Sequence, residues 1–551
     1  MAWSCWLAEV RPQLLFEESA RRSLLAFASN LFPPAHDAAF LAVVLRAAAR
    51  TLAIATCGTA LAALLGFPLG VLATPVLFRR GPLAPPDQRG PWPLLLSWMS
   101  LGARALLQFL RAVPDLLWAL LFVVAFGLGP LPGALALGVN YAGVVGRVFA
   151  DLFDDTPPRS LEALHATGAS RRQIFLLAIL PQAVPGLLAY LLYSFDCCVR
   201  AASVLGFIGA GGIGYEIAVS MRLFEYQQIS TLLLVSLGLV LGTDWLSRRL
   251  RRGLRRAGDS GRAAGRRWRW RLLLPLLAPV LFLSFADAGF LDAGDSAGAV
   301  SLPARLLRFA GQLIPPDLSR PFLATLAVPL AQTVAISIAG TLLGLVLGFA
   351  LAVPATATLV FVPAEEPGRR SRLGDLARAA LYSAARFTLA LLRAIPELLW
   401  VLLCIVAVGL GPFAGTLALG LHTAGVLGKL FAETLEEVEP RSLLALRAAG
   451  AGPLQLLLCV LLPQARATLV SYALLRWENN LRAAAVVGLV GGGGLGLLLH
   501  NSVQLGFYPR VATLLLLVYA LVAGTDLLSE RLRVGTRRLE AGRRARHAQG
   551  A

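Results

Sequence analysis

Charge is scarce in this sequence, and lysine is almost absent. Only 15% of the 551 residues are charged, and Lys429 is the single lysine; a soluble domain would carry about a quarter. Five histidines lie scattered without metal-ligand spacing, and six cysteines, of which only Cys197 and Cys198 are adjacent, match neither a zinc site nor a disulfide framework. No G-x-x-x-x-G-K-[ST] occurs, since Lys429 follows Gly428 but is followed by leucine in an apolar segment. Serine, cysteine and carboxylate candidates show no convergent partners. The expectation is a chain that is not an enzyme, hydrolyses no ATP itself and holds no metal or cofactor. What remains is 57% hydrophobic residues and a mean hydropathy of +0.70, which exclude an ordinary soluble protein and predict an all-α polytopic membrane protein. The net charge of +19 does not point to nucleic acid. The arginines gather at the ends of apolar runs, where positive-inside topology places them.

The sequence is also a duplication. Pro158 to Ala169 (PRSLEALHATGA) returns as Pro440 to Ala451 (PRSLLALRAAGA), 282 residues later. Each copy reads as a short polar helix capped by a serine, Ser160 or Ser442, and closed by a glycine at positive φ, Gly168 or Gly450. Leu180-Pro181-Gln182 and Leu462-Pro463-Gln464 follow at the same distance, inside an apolar helix. Arg111 to Pro130 and Arg393 to Pro412 agree at 14 of 20 positions without a gap, with Trp118 and Trp400 in register. Ser19 to Pro34 likewise aligns with Ser301 to Pro316, so the repeat begins near the start.

Taken in order, residues 1–50 form an extracytoplasmic segment and 51–247 the first half, with spans from Thr51 to Phe78, from an amphipathic lead-in through Pro114 to Leu128, from Leu131 to Phe149, from Arg171 to about Tyr193, and from Ile229 to Trp245. The loop Arg79 to Gly90 and the linker 248–271, with eleven arginines against Asp259, are cytoplasmic. Residues 272–332 hold an extra span, Leu272 to Phe290, 333–530 the second half and 531–551 a basic cytoplasmic tail. Five crossings per half need one crossing between them to keep both polar loops on one side, so the halves are parallel repeats with eleven spans, the N-terminus outside and the C-terminus inside.

Two further features recur. Gly206, Gly209, Gly211, Gly212 and Gly214 have counterparts in Gly488, Gly491, Gly493, Gly494 and Gly496. They lack the flanking strand and acid of a dinucleotide fold, and in a membrane read as a tightly packed bend, a candidate gate near the outer end of a pathway. Before each cluster stands an acid four residues ahead of an arginine, Asp196 with Arg200 and Glu478 with Arg482. Such a pair is either structural or part of a route for anions.

The pattern Glu162-Ala163-Leu164, Gly168 and Leu180-Pro181 resembles the EAA loop of bacterial ABC importer permeases, and its second copy has Leu444-Ala445 with Gly450, Leu444 standing where that family prefers Glu. Ala178 and Val460 stand where it prefers Ile. Arg393-Ala394-Ile395-Pro396-Glu397-Leu398-Leu399-Trp400, and Arg476 to Ala484 before the second glycine cluster, look like the permease of phosphonate-type ABC importers, with two copies fused in one chain. The first half departs at Ser194 to Arg200, keeping the acid and the arginine but losing Trp and both Asn. The resemblance implies the type I importer permease fold in each half, a bacterial inner-membrane location in the lipid bilayer, a periplasmic binding protein that delivers phosphonate, phosphite or phosphate, and two ABC ATPase subunits docked on the loops. That family also carries an apolar segment before the Pro-Pro stretch, so an upstream in-frame run would raise the count to twelve. A permease for methionine-like solutes and a secondary transporter or channel are the alternatives, and nucleic acid is not an expected partner.

Overall fold

A long apolar segment in lipid must satisfy its backbone groups internally, which leaves it helix. The computed structural model describes residues 2–9, 13, 18, 29–30, 32–78, 91–259, 279, 281–288, 302–361 and 372–549, and no strand occurs among the described residues. They fall into a first unit, 28–312, and a second unit, 313–551 with 1–27. The short α1 (Ala2–Leu7) packs within the second unit against Ala327–Ala352.

In the first unit α2 (Ala38–Ala73) is capped by Asp37, which accepts from Phe40 N at 3.3 Å. It is followed by α3 (Pro91–Ala112), α4 (Asp115–Phe126), α5 (Pro130–Asp154), α6 (Pro158–Ala166), α7 (Leu180–Leu205), α8 (Gly212–Arg222) and α9 (Tyr226–Asp259). Helices α2 and α5 touch backbone to backbone, and a Cβ on Gly70 would lie 2.8 Å from Gly146 O. Small residues permit that approach where no hydrophobic effect drives helices together.

The axes of α3 and α4 meet at 87°. Near one end of the bundle Arg104 Nε donates to Ala73 O at 2.7 Å and its Nη2 lies 3.8 Å from Asp154. At the other, Gly129 N donates to Gly209 O at 2.9 Å. The two helices therefore make one broken span, whose break at Val113-Pro114 stands level with Asn140 in the middle of α5, Asn140 Nδ2 donating to Val113 O at 2.7 Å. Proline ends α3 because it lacks an N–H and disfavours helix in the residue before it. The carbonyls this frees at mid-depth need donors, and Trp118 Nε1 supplies one to Leu110 O at 3.2 Å. A tryptophan recurs here because it caps a break. The expected span ending at Gly127 is thus corrected: α4 has 12 residues, roughly 18 Å at 1.5 Å each, too short to cross alone.

The second unit repeats the plan with α10 (Ala327–Ala352), α11 (Arg372–Ala394), α12 (Glu397–Val408), α13 (Pro412–Glu436), α14 (Pro440–Ala448), α15 (Leu462–Val487), α16 (Gly494–Gln504) and α17 (Tyr508–Gln549). Its broken pair bends by 97°. Trp400 Nε1 donates to Leu392 O at 3.1 Å, and His422 Nδ1 lies 3.0 Å from Ile395 O in the place of Asn140. Arg386 donates to Ala355 O at 2.8 Å and pairs with Glu436 at 2.7 Å, as Arg104 does with Ala73 and Asp154.

Among the described residues seven helices are long and apolar enough to cross a membrane, and nine spans result when each bent pair counts once. Helix α13, made more polar by His422, Lys429 and Glu433, fails that test but takes the place of α5. Most of Leu272 to Phe290 lies outside the described residues, as do Arg79 to Gly90 and Ser260 to Arg271. The described Asp287 stands 3.8 Å from Arg50 of α2, at the end of the unit away from α6. A second correction concerns the span from Arg171: it does not end near Tyr193 but runs on to Leu205, so Asp196 and Arg200 lie inside it. It contains one π turn, Phe175–Ile179, matched by Leu457–Leu461. Pro181 and Pro463 follow directly, and the wider turn accommodates a ring that would otherwise strike the carbonyl four residues back.

Candidate functional site

The two short polar helices are alike in detail. Each begins at its proline, Pro158 or Pro440, in the first helical position. Ser160 and Ser442 consequently sit inside the helix and cap nothing, which corrects the expected N-cap. Each helix closes as expected, at Gly168 (φ +79) and Gly450 (φ +81). Gly168 N donates to His165 O at 2.9 Å and Ala169 N to Leu164 O at 3.3 Å; Gly450 N and Ala451 N repeat this with Arg447 O and Leu446 O at 2.8 and 3.2 Å. These are paired Schellman closures. The next helix starts at once, with Ser170 and Gln173 forming a reciprocal cap, whereas Gly452 offers only its N–H to Gln455 Oε1 at 2.9 Å.

One leucine ties each helix to its bundle. Leu161 is 1% exposed among Phe153, Ile174 and Ile179, and Leu443 is 7% exposed among Leu435, Leu456 and Leu461. Glu162, Ala163, Leu444 and Ala445 all face outward. The sequence does not single out Leu161 and Leu443 as anchors, although each stands three residues before an apolar neighbour on the same helical side, Leu164 or Leu446. The second helix has an extra tie, Arg447 Nη2 donating to Thr358 O.

At the opposite end of each unit the glycines make a bend. Gly206 and Gly214 are brought so close that a Cβ on Gly206 would lie 2.3 Å from Tyr215 N, and one on Gly214 would lie 2.2 Å from Ser203 O. Gly488 and Gly496 repeat this against Gly493 O (2.2 Å) and Ala485 O (2.5 Å). Between them Gly209 and Gly212, like Gly491 and Gly494, have positive φ. Thr51 Oγ1 accepts from Ile213 N at 2.9 Å, and Thr333 Oγ1 from Leu495 N at the same distance, fixing each bend to α2 or α10.

The acid and arginine pairs form within their own helices. Arg200 Nη2 is 3.1 Å from Asp196, whose other oxygen lies 3.4 Å from Thr243 Oγ1. Arg482 Nη2 is 2.6 Å from Glu478 and also 3.1 Å from Asp526 of α17. Asp244, the counterpart of Asp526, instead pairs with Arg248 at 2.9 Å. The second arginine is therefore held by two acids and the first by one. Asp526 stands in a Thr-Asp pair, Thr525-Asp526, that repeats Thr243-Asp244 282 residues on, but its meeting with Arg482, 44 residues away, depends on helix packing.

A polar layer missed in the sequence lies at mid-depth in the second unit. Thr423 is eleven residues from the start of α13 and thirteen from its end. Its Oγ1 accepts from Arg476 Nε at 3.2 Å, and Asn480 Nδ2 donates to Thr341 and Thr423, both at 2.9 Å. Asn480 and Thr423 are fully buried.

The model of the family described as binding-protein-dependent transport system inner membrane component matches residues 95–256 and again 376–538. The chain belongs to this family. It is 32% identical over 526 residues, 96% of its own length and 91% of the other's, to the phosphate-import permease protein PhnE of Mycolicibacterium smegmatis. It is 37% identical over 276 residues to the phosphite transport system permease protein PtxC of Stutzerimonas stutzeri, covering 92% of that protein but 49% of this chain. Among solved structures, inward-facing MetNI, a methionine ABC transporter, matches 40% of this chain and 99% of its own with 20% identity and a TM-score of 0.34. The family component is thus present twice in one polypeptide, as an all-α multi-pass protein of the inner membrane. Members of this family are ABC importer permeases that work with an ATPase and a binding protein, which sets aside the secondary transporter and channel reading.

Proposed function

We propose that this chain forms, alone, the whole translocation pathway for a tetrahedral phosphorus oxyanion: phosphate, phosphite or phosphonate. A periplasmic binding protein delivers the anion, and two ATPase subunits, one on α6 and one on α14, supply the energy. The supporting observation is the near full-length relationship to a protein named for phosphate import, together with a half-length one named for phosphite. Glu162, Ala163 and Gly168 form the first docking surface and Leu444, Ala445 and Gly450 the second, each presented outward on a buried leucine anchor. The chain itself binds no nucleotide and needs no cofactor.

The bends at Gly206 to Gly214 and Gly488 to Gly496 close the outer end. Asp196 with Arg200 and Glu478 with Arg482 stand about two turns below them, where the acids keep the arginines fixed beside the route. Of the two, Arg200 is the more available, with one acid and a side chain 35% exposed against 21% for Arg482. The test is ATP-driven uptake by the reconstituted complex with its binding protein. Phosphate, phosphite and methylphosphonate should accumulate and methionine should not. Uptake of methionine in their place would reverse the substrate assignment.

A further inference from the structure

We infer that Arg476 forms a single oxyanion site at mid-depth, present in the second unit and missing from the first. The inference rests on the oxyanion reading above and names the residue of this chain that meets the anion. Arg476 lies on α15, beside the layer of Thr423, Asn480 and Thr341. Its Nε donates to Thr423 Oγ1 at 3.2 Å, while Nη1 and Nη2 have no hydrogen-bond partner and no ion pair among the described residues. The hydroxyl that holds it is itself held, since Thr423 and Asn480 exchange hydrogen bonds at 3.1 and 2.9 Å and Asn480 reaches Thr341 at 2.9 Å. Three spans thus cooperate to aim one guanidinium whose outer fork is left open. Arg200 and Arg482 differ, because both spend Nη2 on acids.

The open fork faces water or protein rather than lipid. Glu397, at the break of the α11–α12 span and in the same layer, has a side chain 41% exposed and lies 3.8 Å from His422 Nε2. A carboxyl group and a guanidinium at mid-depth are too costly to turn toward hydrocarbon, so this face of the unit borders a polar route. A guanidinium fork matches two oxygens of a tetrahedral phosphorus oxyanion, and a fixed one loses less entropy on binding. In the first unit the same positions are Ser194, Tyr141, Cys198 and Thr59. None of these is a cation, so one anion occupies one site.

The experiment is uptake of inorganic phosphate, phosphite and methylphosphonate by the complex in proteoliposomes, for Arg476→Gln, Arg476→Lys and the double variant Glu397→Gln with Arg476→Gln. Assembly is followed by size-exclusion chromatography, and ATPase activity stimulated by the binding protein is followed alongside. Arg476→Gln should lower uptake by about 10- to 100-fold, the scale of a lost charge-assisted contact, with assembly retained. Arg476→Lys, which keeps the charge without the fork, should fall in between. Uptake at the wild-type level in Arg476→Gln overturns the inference, as does recovery in the double variant, which would make Arg476 a counter-charge for Glu397. If Arg476→Gln does not assemble, Arg476→Lys decides, and unchanged uptake of all three anions by it overturns the inference. A wild-type complex that transports none of the three overturns the oxyanion reading itself and this site with it.

Discussion

The two units share their mechanical parts and differ in their polar ones. In both, a right-angled break is capped by a tryptophan, a glycine bend is pinned by a threonine on the neighbouring span, and a short outward helix closes on a Schellman glycine. At mid-depth they part: the second unit has Arg476, Thr423 and Asn480 where the first has Ser194, Tyr141 and Cys198. Below the bend, Arg482 answers to two acids and Arg200 to one. Backbone devices are thus duplicated while side-chain chemistry is not.

The largest expected difference lies in the paired arginines. Removing one partner of a buried pair costs about 3 to 5 kcal/mol because a charge is left uncompensated. Arg482→Gln strands both Glu478 and Asp526, so it should lower the thermal stability of the detergent-solubilised protein more than Arg200→Gln, which strands Asp196. Adding Asp526→Asn should return part of the loss. Equal effects would show that the second acid contributes nothing.

Next comes the turn after each outward helix. A β-branched residue forced to positive φ costs about 1 to 3 kcal/mol, so Gly168→Val and Gly450→Val should distort the docking helices while the chain still inserts. Both should lower the ATPase stimulation caused by the binding protein. Gly168→Val should do so more, since Glu162 offers a partner charge where Leu444 does not, and since Arg447 gives the second helix a further tie to Thr358 O. Co-purification and coupling untouched by either change would leave Gly168 and Gly450 as ordinary helix stops.

The smallest difference is at the outer surface. Hydrogen bonds from Ser319 and Arg510 hold the Asp317 carboxyl below the usual carboxylate range, and the first unit has Ala35 there. A depressed folded pKa gives stability that is present above the unfolded value and lost as pH falls through the folded one. Arg510→Gln should therefore slightly weaken the protein near neutral pH and make it less sensitive to acid below about pH 4, the unfolded carboxylate value. A melting curve with the same pH dependence as the wild type would remove Asp317 from the account.

Much of this was legible before any coordinates, and what was not has a physical cause. The duplication, the closing glycines and the glycine bends depend on local backbone needs, which residue types at fixed spacing declare. Pro114 announced a break but not its angle, because a proline ends a helix without fixing the direction of the next. Ser160 and Ser442 misled because a proline two positions earlier is the better helix start. The roles of Asp526 and Thr423 were out of reach for a different reason: they meet Arg482 and Arg476, 44 and 53 residues away, only after the helices have packed. Arg476 was in plain view in the segment before the second glycine cluster, but only its open fork sets it apart from the paired arginines.

The proposed function requires that one copy of this chain, with the family component present twice, suffice for transport. Native mass spectrometry of the complex purified with its ATPase tests that most directly. The predicted mass is one copy of this chain with two ATPase subunits, with one copy sufficient for uptake. A complex built on two copies of this chain would contradict it, because each copy would then be half of a permease rather than the whole.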